Sequence, residues 1–189
     1  MRSDNQEMLK EYARMIEKGT YSAFIDGSVN TNLAYKPELV SNNYQSGRKV
    51  LSTLETELFH CEEFYISVAF ITLGGITPLL QTLKELEQRG IRGKILTTDY
   101  LNFSDPRAIQ KLHELSNLEI RMYMADEDEG FHTKGYIFKN QEIYRIIVGS
   151  SNMTLTALTK NREWNTKIIS TKNGDYLEHI LTEFLELWD

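Results

Sequence analysis

Cysteine is nearly missing from this chain. Cys61 stands alone, so no internal disulfide can form, and a reducing compartment, by default the cytoplasm, is expected. Long apolar runs are missing too: nothing reaches the length of a membrane span or resembles a signal peptide, so no membrane role is expected. Histidine is scarce, with four in 189 residues, and no H-E-x-x-H run or Cys/His cluster has metal-ligand spacing. No cofactor and no metal is therefore expected. Proline (three) and glycine (11) are sparse and unpatterned, which excludes fibrous and low-complexity classes, while 41% hydrophobic residues can supply one sizeable core.

An excess of positive charge is also lacking. The formal net charge of −6 argues against a surface coated in cations for indiscriminate binding of polyanions. The distribution is uneven, however. Residues 131 to 172 hold seven cations (Lys134, Lys139, Arg145, Lys160, Arg162, Lys167 and Lys172) against Glu142 and Glu163. This basic stretch is either an ordinary solvated face or the place where an anionic ligand meets the protein.

Along the chain, Met8, Leu9, Tyr12, Met15 and Ile16 recur at helical spacing over residues 4 to 18, with Gly19 as a stop. Residues 20 to 45 have no clear period and read as an irregular arm with one short strand at Ala23-Phe24-Ile25. From Gly47 the pattern is regular: a helix to His60, a strand from Phe64 to Ile71, and a helix opened by Gly74-Gly75 that runs to Gly90. A strand follows from Lys94 to Thr98, then a helix with Asp105 as N-cap and Pro106 in its first position, then a strand from Leu118 to Tyr123. Such β-α-β-α-β alternation predicts an α/β fold with a mixed, mostly parallel sheet flanked by helices on both faces. The acidic loop Asp126 to Glu129 reads as solvated, with a metal site or a regulatory flap as the alternative. Beyond it the sequence predicts a β-hairpin, with strands at Thr133 to Phe138 and Ile143 to Val148 and a turn over residues 139 to 142. A short helix from Thr154, a strand from Trp164 to Ser170 and a helix from Tyr176 to Leu187 complete the chain.

That hairpin places His132 and Lys134 beside Ser150 and Asn152, because the start of its first strand lies next to the end of its second, and residues two apart share a face. Asn161-Arg162-Glu163-Trp164-Asn165 stands at the mouth of the following strand. H-x-K followed by G-S-x-N resembles the HKD motif of the phospholipase D superfamily, and N-R-E-W-N resembles the segment in which its nuclease members place a supporting glutamate. "YISVAFITLGGITPLL" and "GKILTTDYLNFSDPRAIQKL" are similar to the phospholipase D-like domains at the N-terminus of bacterial helicase and restriction-type proteins. The resemblance covers residues 46 to 189, and residues 1 to 45 form an N-terminal helix and arm outside it. Two departures stand out: Lys139 replaces the family aspartate, and the lysine-to-serine spacing is about three residues longer than usual.

The resemblance implies a metal-independent phosphodiesterase, an endonuclease acting on DNA through a phosphohistidine. His132 is nucleophile and acid, Lys134 carries charge to the phosphate, Ser150 and Asn152 donate hydrogen bonds, and Glu163 holds the ring of His132. One motif supplies one histidine where the mechanism needs two. His60, His113 and His179 read as structural or surface residues, so a homodimer with a composite site is expected. Tyr100 and Phe103 read either as channel aromatics or as core or rim aromatics, and Ser151, Thr154 and Thr156 as helix-start residues. The ending "FLELWD" reads as helix core, consistent with continuation into a C-terminal helicase domain. A catalytically inactive DNA-binding and dimerisation module is the alternative, and a phospholipid hydrolase a more distant one.

Overall fold

The structure, a computed structural model, describes residues 2–29, 36–99, 103–125 and 130–189. Two compact units divide the chain, Met1–Glu38 and Leu39–Asp189. In the first, helix α1 spans Arg2–Phe24. Gly19 does not stop it and the strand expected at residues 23 to 25 does not form. A glycine inside a helix costs only about 1 kcal/mol, and the Thr20 and Ser22 hydroxyls donate to the carbonyls of Ile16 and Gly19, which suits continued helix. The turn comes at Asp26, whose carboxylate accepts from the Ser28 amide and hydroxyl.

The second unit is built on a sheet whose strands are β1 (Glu38–Val40, its first residue on the boundary), β2 (Glu63–Val68), β3 (Arg92–Thr98), β4 (Leu118–Tyr123), β5 (Lys134–Asn140), β6 (Ile143–Gly149) and β7 (Asn165–Thr171). Their order is β1-β7-β6-β5-β2-β3-β4. The expected β-α-β-α-β run is present: β2, β3 and β4 are parallel, joined through α3 (Leu73–Ile76), a 3-10 turn, α4 (Leu80–Gln88) and α5 (Pro106–His113). The sheet is mixed, as anticipated, but the parallel part ends at β2. The hairpin folds back against it, so the β2–β5, β5–β6 and β6–β7 pairs are all antiparallel. A two-residue turn cannot join parallel neighbours.

Alternation along the strands builds a core on each face. Phe64, Ile66, Tyr136, Phe138 and Ile147 pack with Leu54 and Leu58 of α2 (Val50–His60), with α4 and α5, and with α6 (Leu155–Thr159). On the reverse, Tyr65, Ile137 and Ile146 meet α7 (Asp175–Trp188) through Leu177, Phe184 and Trp188. Glu57 of α2 is buried on the first face and pairs with Arg145 and Lys167, which ties that helix to β6 and β7. Cys61 is buried, donates to the Leu58 carbonyl, and has its thiol pushed up to about 12, chiefly by desolvation.

The antiparallel half brings four chain ends to one edge of the sheet. The end of β2, the start of β5, the end of β6 and the start of β7 lie together there.

Candidate active site

Lys134 opens β5 opposite Val68, and one residue further out the Ala69 amide donates to the Thr133 carbonyl. His132 therefore comes beside Phe70, and the two rings meet edge to face with centroids 6.1 Å apart. Asn152 reaches the same residue from β6: its Oδ1 accepts from the Phe70 amide at 3.1 Å, which leaves its Nδ2 as a donor. The residue 152–154 segment is seated against the end of β2 by reciprocal bonds, Met153 amide to Phe70 carbonyl and Thr72 amide to Met153 carbonyl. That approach requires glycine at position 75, because a Cβ there would lie 2.0 Å from the Met153 carbonyl oxygen. Gly149 is required for a similar reason, since its Cβ would stand 2.3 Å from the Trp164 carbonyl oxygen where β6 meets β7.

Lys134 is buried, with the residue only 9% exposed, and its ammonium donates to the His132 carbonyl at 2.8 Å. Burial lowers its pKa, and the nearby Glu163 carboxylate opposes that shift. Glu163 is itself buried and does not take the expected partner. Its Oε2 accepts from the Ser150 hydroxyl in a short hydrogen bond, and among the described residues no hydrogen bond joins it to the His132 ring. Strand pairing explains this: Gly149 faces Asn165 across β6 and β7, which sets Ser150 against the residue 163–164 segment. The Ser150 hydroxyl also accepts from the Trp164 amide at 3.1 Å, and the Ser150 amide donates to the Trp164 carbonyl at 3.2 Å.

The structure thus brings His132, Lys134, Ser150, Asn152 and Glu163 to one sheet edge, with an exposed Ser150 bonded to the buried Glu163. A supporting layer was not read from the sequence. Asn165 is buried and donates to the Ser151 hydroxyl and the Val40 carbonyl, while its Oδ1 accepts from the Ser151 amide. Ser151 is consequently a buried strut, and the helix start belongs to Thr154, which accepts from the Ala157 amide. Tyr136 is fully buried, donates to the Ser151 carbonyl, and has its phenol pushed up by desolvation and then by Glu163. Its place on the Lys134 face of β5, two residues along, is the sequence signal that could have found it.

Lys139 lies inside β5, since the turn is confined to Gln141 and Glu142 and the strands are longer than expected. It pairs with Glu63 at 3.6 Å, about 17 Å along the strand from Lys134 at 3.3 Å per residue. A residue there cannot touch a phosphate at His132. Phe103 is a rim aromatic, exposed and edge-on to Phe70 at 5.0 Å. Tyr100 and the acidic loop 126–129 lie outside the described residues. Elsewhere, His60 bonds the Thr56 carbonyl, His179 is exposed on α7 near Asp175, and His113 ends α5. Among the described residues no group of three His, Cys, Asp or Glu side chains is placed to hold a metal ion. A cavity of about 330 Å³ opens beside the start of β5, walled by Tyr65, Ile137 and Phe184, with His132 at its margin.

Residues 58–188 match the family model described as "Cardiolipin synthase, PLD-like domain". Solved structures that resemble this fold include NucT from Helicobacter pylori, 17% identical, with 82% of this chain and 96% of that one aligned at a TM-score of 0.63. Nuc from Salmonella typhimurium, described as a phospholipase D family member, is 18% identical over 80% of this chain and 94% of its own, at 0.61. TrmBL2, an archaeal chromatin protein with its own mode of DNA binding, is 19% identical and covers 98% of this chain and 66% of its own, at 0.50. The sequence matches no curated protein. No described helix is long and apolar enough to cross a membrane.

Proposed function

The chain belongs to the phospholipase D-like domain family, and we propose on that footing that it hydrolyses phosphodiesters in DNA without a metal, as an endonuclease working through a phosphohistidine. The observation that carries this reading is the meeting of His132 and Asn152 at Phe70, with the Lys134 ammonium bonded to the His132 carbonyl. A phosphodiester is anionic and repels hydroxide, so a neutral nucleophile and fixed positive charge both favour attack. In the proposed first step a ring nitrogen of His132 bonds to phosphorus as the P–O bond to one sugar breaks, and the departing oxygen takes a proton from a second imidazole. In the second step that imidazole accepts a proton from water, the water oxygen bonds to phosphorus, and His132 is released.

Lys134 and the Asn152 amide hold the equatorial oxygens. Glu163 is a positioning residue, acting through the Ser150 hydroxyl that it accepts and through its charge near Lys134. The remaining described histidines lie on α2, α5 and α7, His60 and His179 with other partners, which supports taking the second imidazole from His132 of another copy, in a two-fold dimer. The catalytic domain of this proposal is the second compact unit, delivered by attachment to a helicase or restriction-type protein. The test is incubation with end-labelled DNA in excess EDTA beside His132→Ala: cleavage lost only in the variant is expected, and a strict need for Mg²⁺ would overturn the mechanism.

A further inference from the structure

Away from the reacting groups, a second cavity of about 350 Å³ lies between the loop that precedes α2 and the segment that follows α6. Its wall carries four cations, Arg48, Lys49, Lys160 and Arg162, and no carboxylate. All four are exposed, and among the described residues none of these side chains has an acidic partner. In a chain of net charge −6, four cations gathered round one hollow whose lining holds no carboxylate is a specific feature.

The hollow is built in advance. Buried Asn42 donates to the carbonyls of Ala157 and Asn161 at 2.7 and 2.8 Å and accepts from the Val50 amide at 3.0 Å, so one side chain clamps both walls together. Asn43 closes the loop itself, accepting from the Gln45 and Ser46 amides while its own amide donates to the Arg48 carbonyl. Tyr44 stands at the tip of that closed loop with a relative exposure of 102%, a large ring held in water with nothing packed on it. Outside the lining itself, Trp164 is 77% exposed, two residues beyond Arg162 in the chain and next to Glu163 of the candidate active site.

We infer that this basic hollow, with Tyr44 in its lining and exposed Trp164 two residues beyond Arg162, is the track that holds a single strand of nucleic acid as it runs from the hydrolytic site. The inference rests on the proposed function and adds where, and in what form, the substrate is gripped. Cations spaced along a groove follow the phosphates, and exposed rings give successive bases a sequence-tolerant surface for stacking. A duplex keeps its bases stacked inside and has no use for the rings. Gripping of that strand is thereby separated from the chemistry by which it is cut.

The experiment is fluorescence anisotropy of a labelled 20-nucleotide single strand and of the matching blunt duplex, on the full chain over a salt series. A variant with Arg48, Lys49, Lys160 and Arg162 all changed to Ala should flatten the slope of log affinity against log salt by about 2 to 3, at roughly 0.7 per phosphate contact. Tyr44→Ala removes a fully exposed side chain, so folding is unaffected; it should weaken single-strand binding by about 5- to 150-fold and leave duplex binding unchanged. Arg48→Ala with Lys49→Ala should leave hydrolysis of bis(p-nitrophenyl) phosphate, which is too small to span the track, at the wild-type rate. Unchanged affinity and slope in the quadruple variant, or a Tyr44→Ala protein that binds single strands as tightly as wild type, would overturn the inference even where diester hydrolysis is intact. Salt-sensitive binding that responds as described in a wild-type protein without hydrolytic activity would instead uphold the track and sink the proposed chemistry.

Discussion

Replacing Lys134 by Met should cost activity and spare the fold, and the structure sets the size of both effects. The residue is buried, and the largest influence on its ammonium is desolvation, which lowers its pKa against the opposing pull of Glu163. For a base, a lowered folded pKa means that the native state binds this proton less well than the unfolded chain, so the group costs stability at neutral pH, and the cost fades as pH rises through the folded value toward 10.5. Met keeps the apolar stem and removes that cost, at the loss of one charge-assisted bond to the His132 carbonyl, about 1.5 to 3 kcal/mol. These terms oppose one another, so the melting temperature should move by less than about 4 °C, the equivalent of roughly 1 kcal/mol. Removing a preorganised donor to the phosphate costs about 2.7 to 4 kcal/mol in the transition state, or roughly 10²- to 10³-fold in rate. Single-turnover cleavage of labelled DNA and a thermal melt at pH 7 and pH 9.5 read both quantities. Wild type should gain on the variant between the two pH values. A rate within threefold of wild type would refute the role of the charge. A melting temperature lowered by ten degrees or more, with the activity loss tracking the unfolded fraction, would show that Lys134 is a structural residue.

Glu163→Gln keeps an acceptor for the Ser150 hydroxyl but removes the charge near Lys134; it should retain DNA binding and slow cleavage by about tenfold or more, and unchanged turnover would remove Glu163 from the site. In mixtures of wild-type and His132→Ala subunits, activity should fall as the square of the wild-type fraction, because in the proposed mechanism only dimers with two imidazoles complete a turnover, whereas a linear fall would show that each chain completes its own site. Gly75→Ala would set a Cβ 2.0 Å from the Met153 carbonyl oxygen, backbone against backbone, and should destabilise by about 2 kcal/mol or more while unseating Asn152; a stable variant with full activity would show that this approach is not needed.

What the sequence discloses about this site depends on how local the cause is. The hairpin and its four polar groups are legible because alternation and a short turn act over some 20 residues, and the β2-α-β3-α-β4 run is legible because period 3.6 and period 2 segments alternate cleanly. The mostly parallel sheet was the wrong weight to put on that run. Parallel pairing needs a long crossover, and the chain has none between β5 and β6, so the Gln141-Glu142 turn forces that pair antiparallel, and β7 adds to β6 in the same sense. This reversal is what makes the site compact: it carries the N-terminal end of β5 and the C-terminal end of β6 to the same edge as the C-terminal end of β2, where Phe70 receives His132 and Asn152.

Partners fixed by long-range register were not legible. Glu163 was assigned to the imidazole from its chemistry, yet the pairing of Gly149 with Asn165 places it on Ser150. Ser151 reads as a helix-start residue and Asn165 only as part of a strand mouth, because the partners that tie them together, and the Val40 carbonyl, are brought in by the fold. Asn42, 115 residues before its Ala157 partner, carried no signal at all. The basic stretch of residues 131 to 172 was visible as composition, but half of its meaning lies elsewhere: Lys139, Arg145, Lys167 and Lys172 are neutralised by Glu63, Glu57 and Glu142. Lys160 and Arg162 are left over, and they become a site only when Asn42 brings Arg48 and Lys49 across to them. Net charge along a segment therefore overstates a binding face wherever the fold supplies counter-charges, and understates it wherever cations from two segments are clamped side by side.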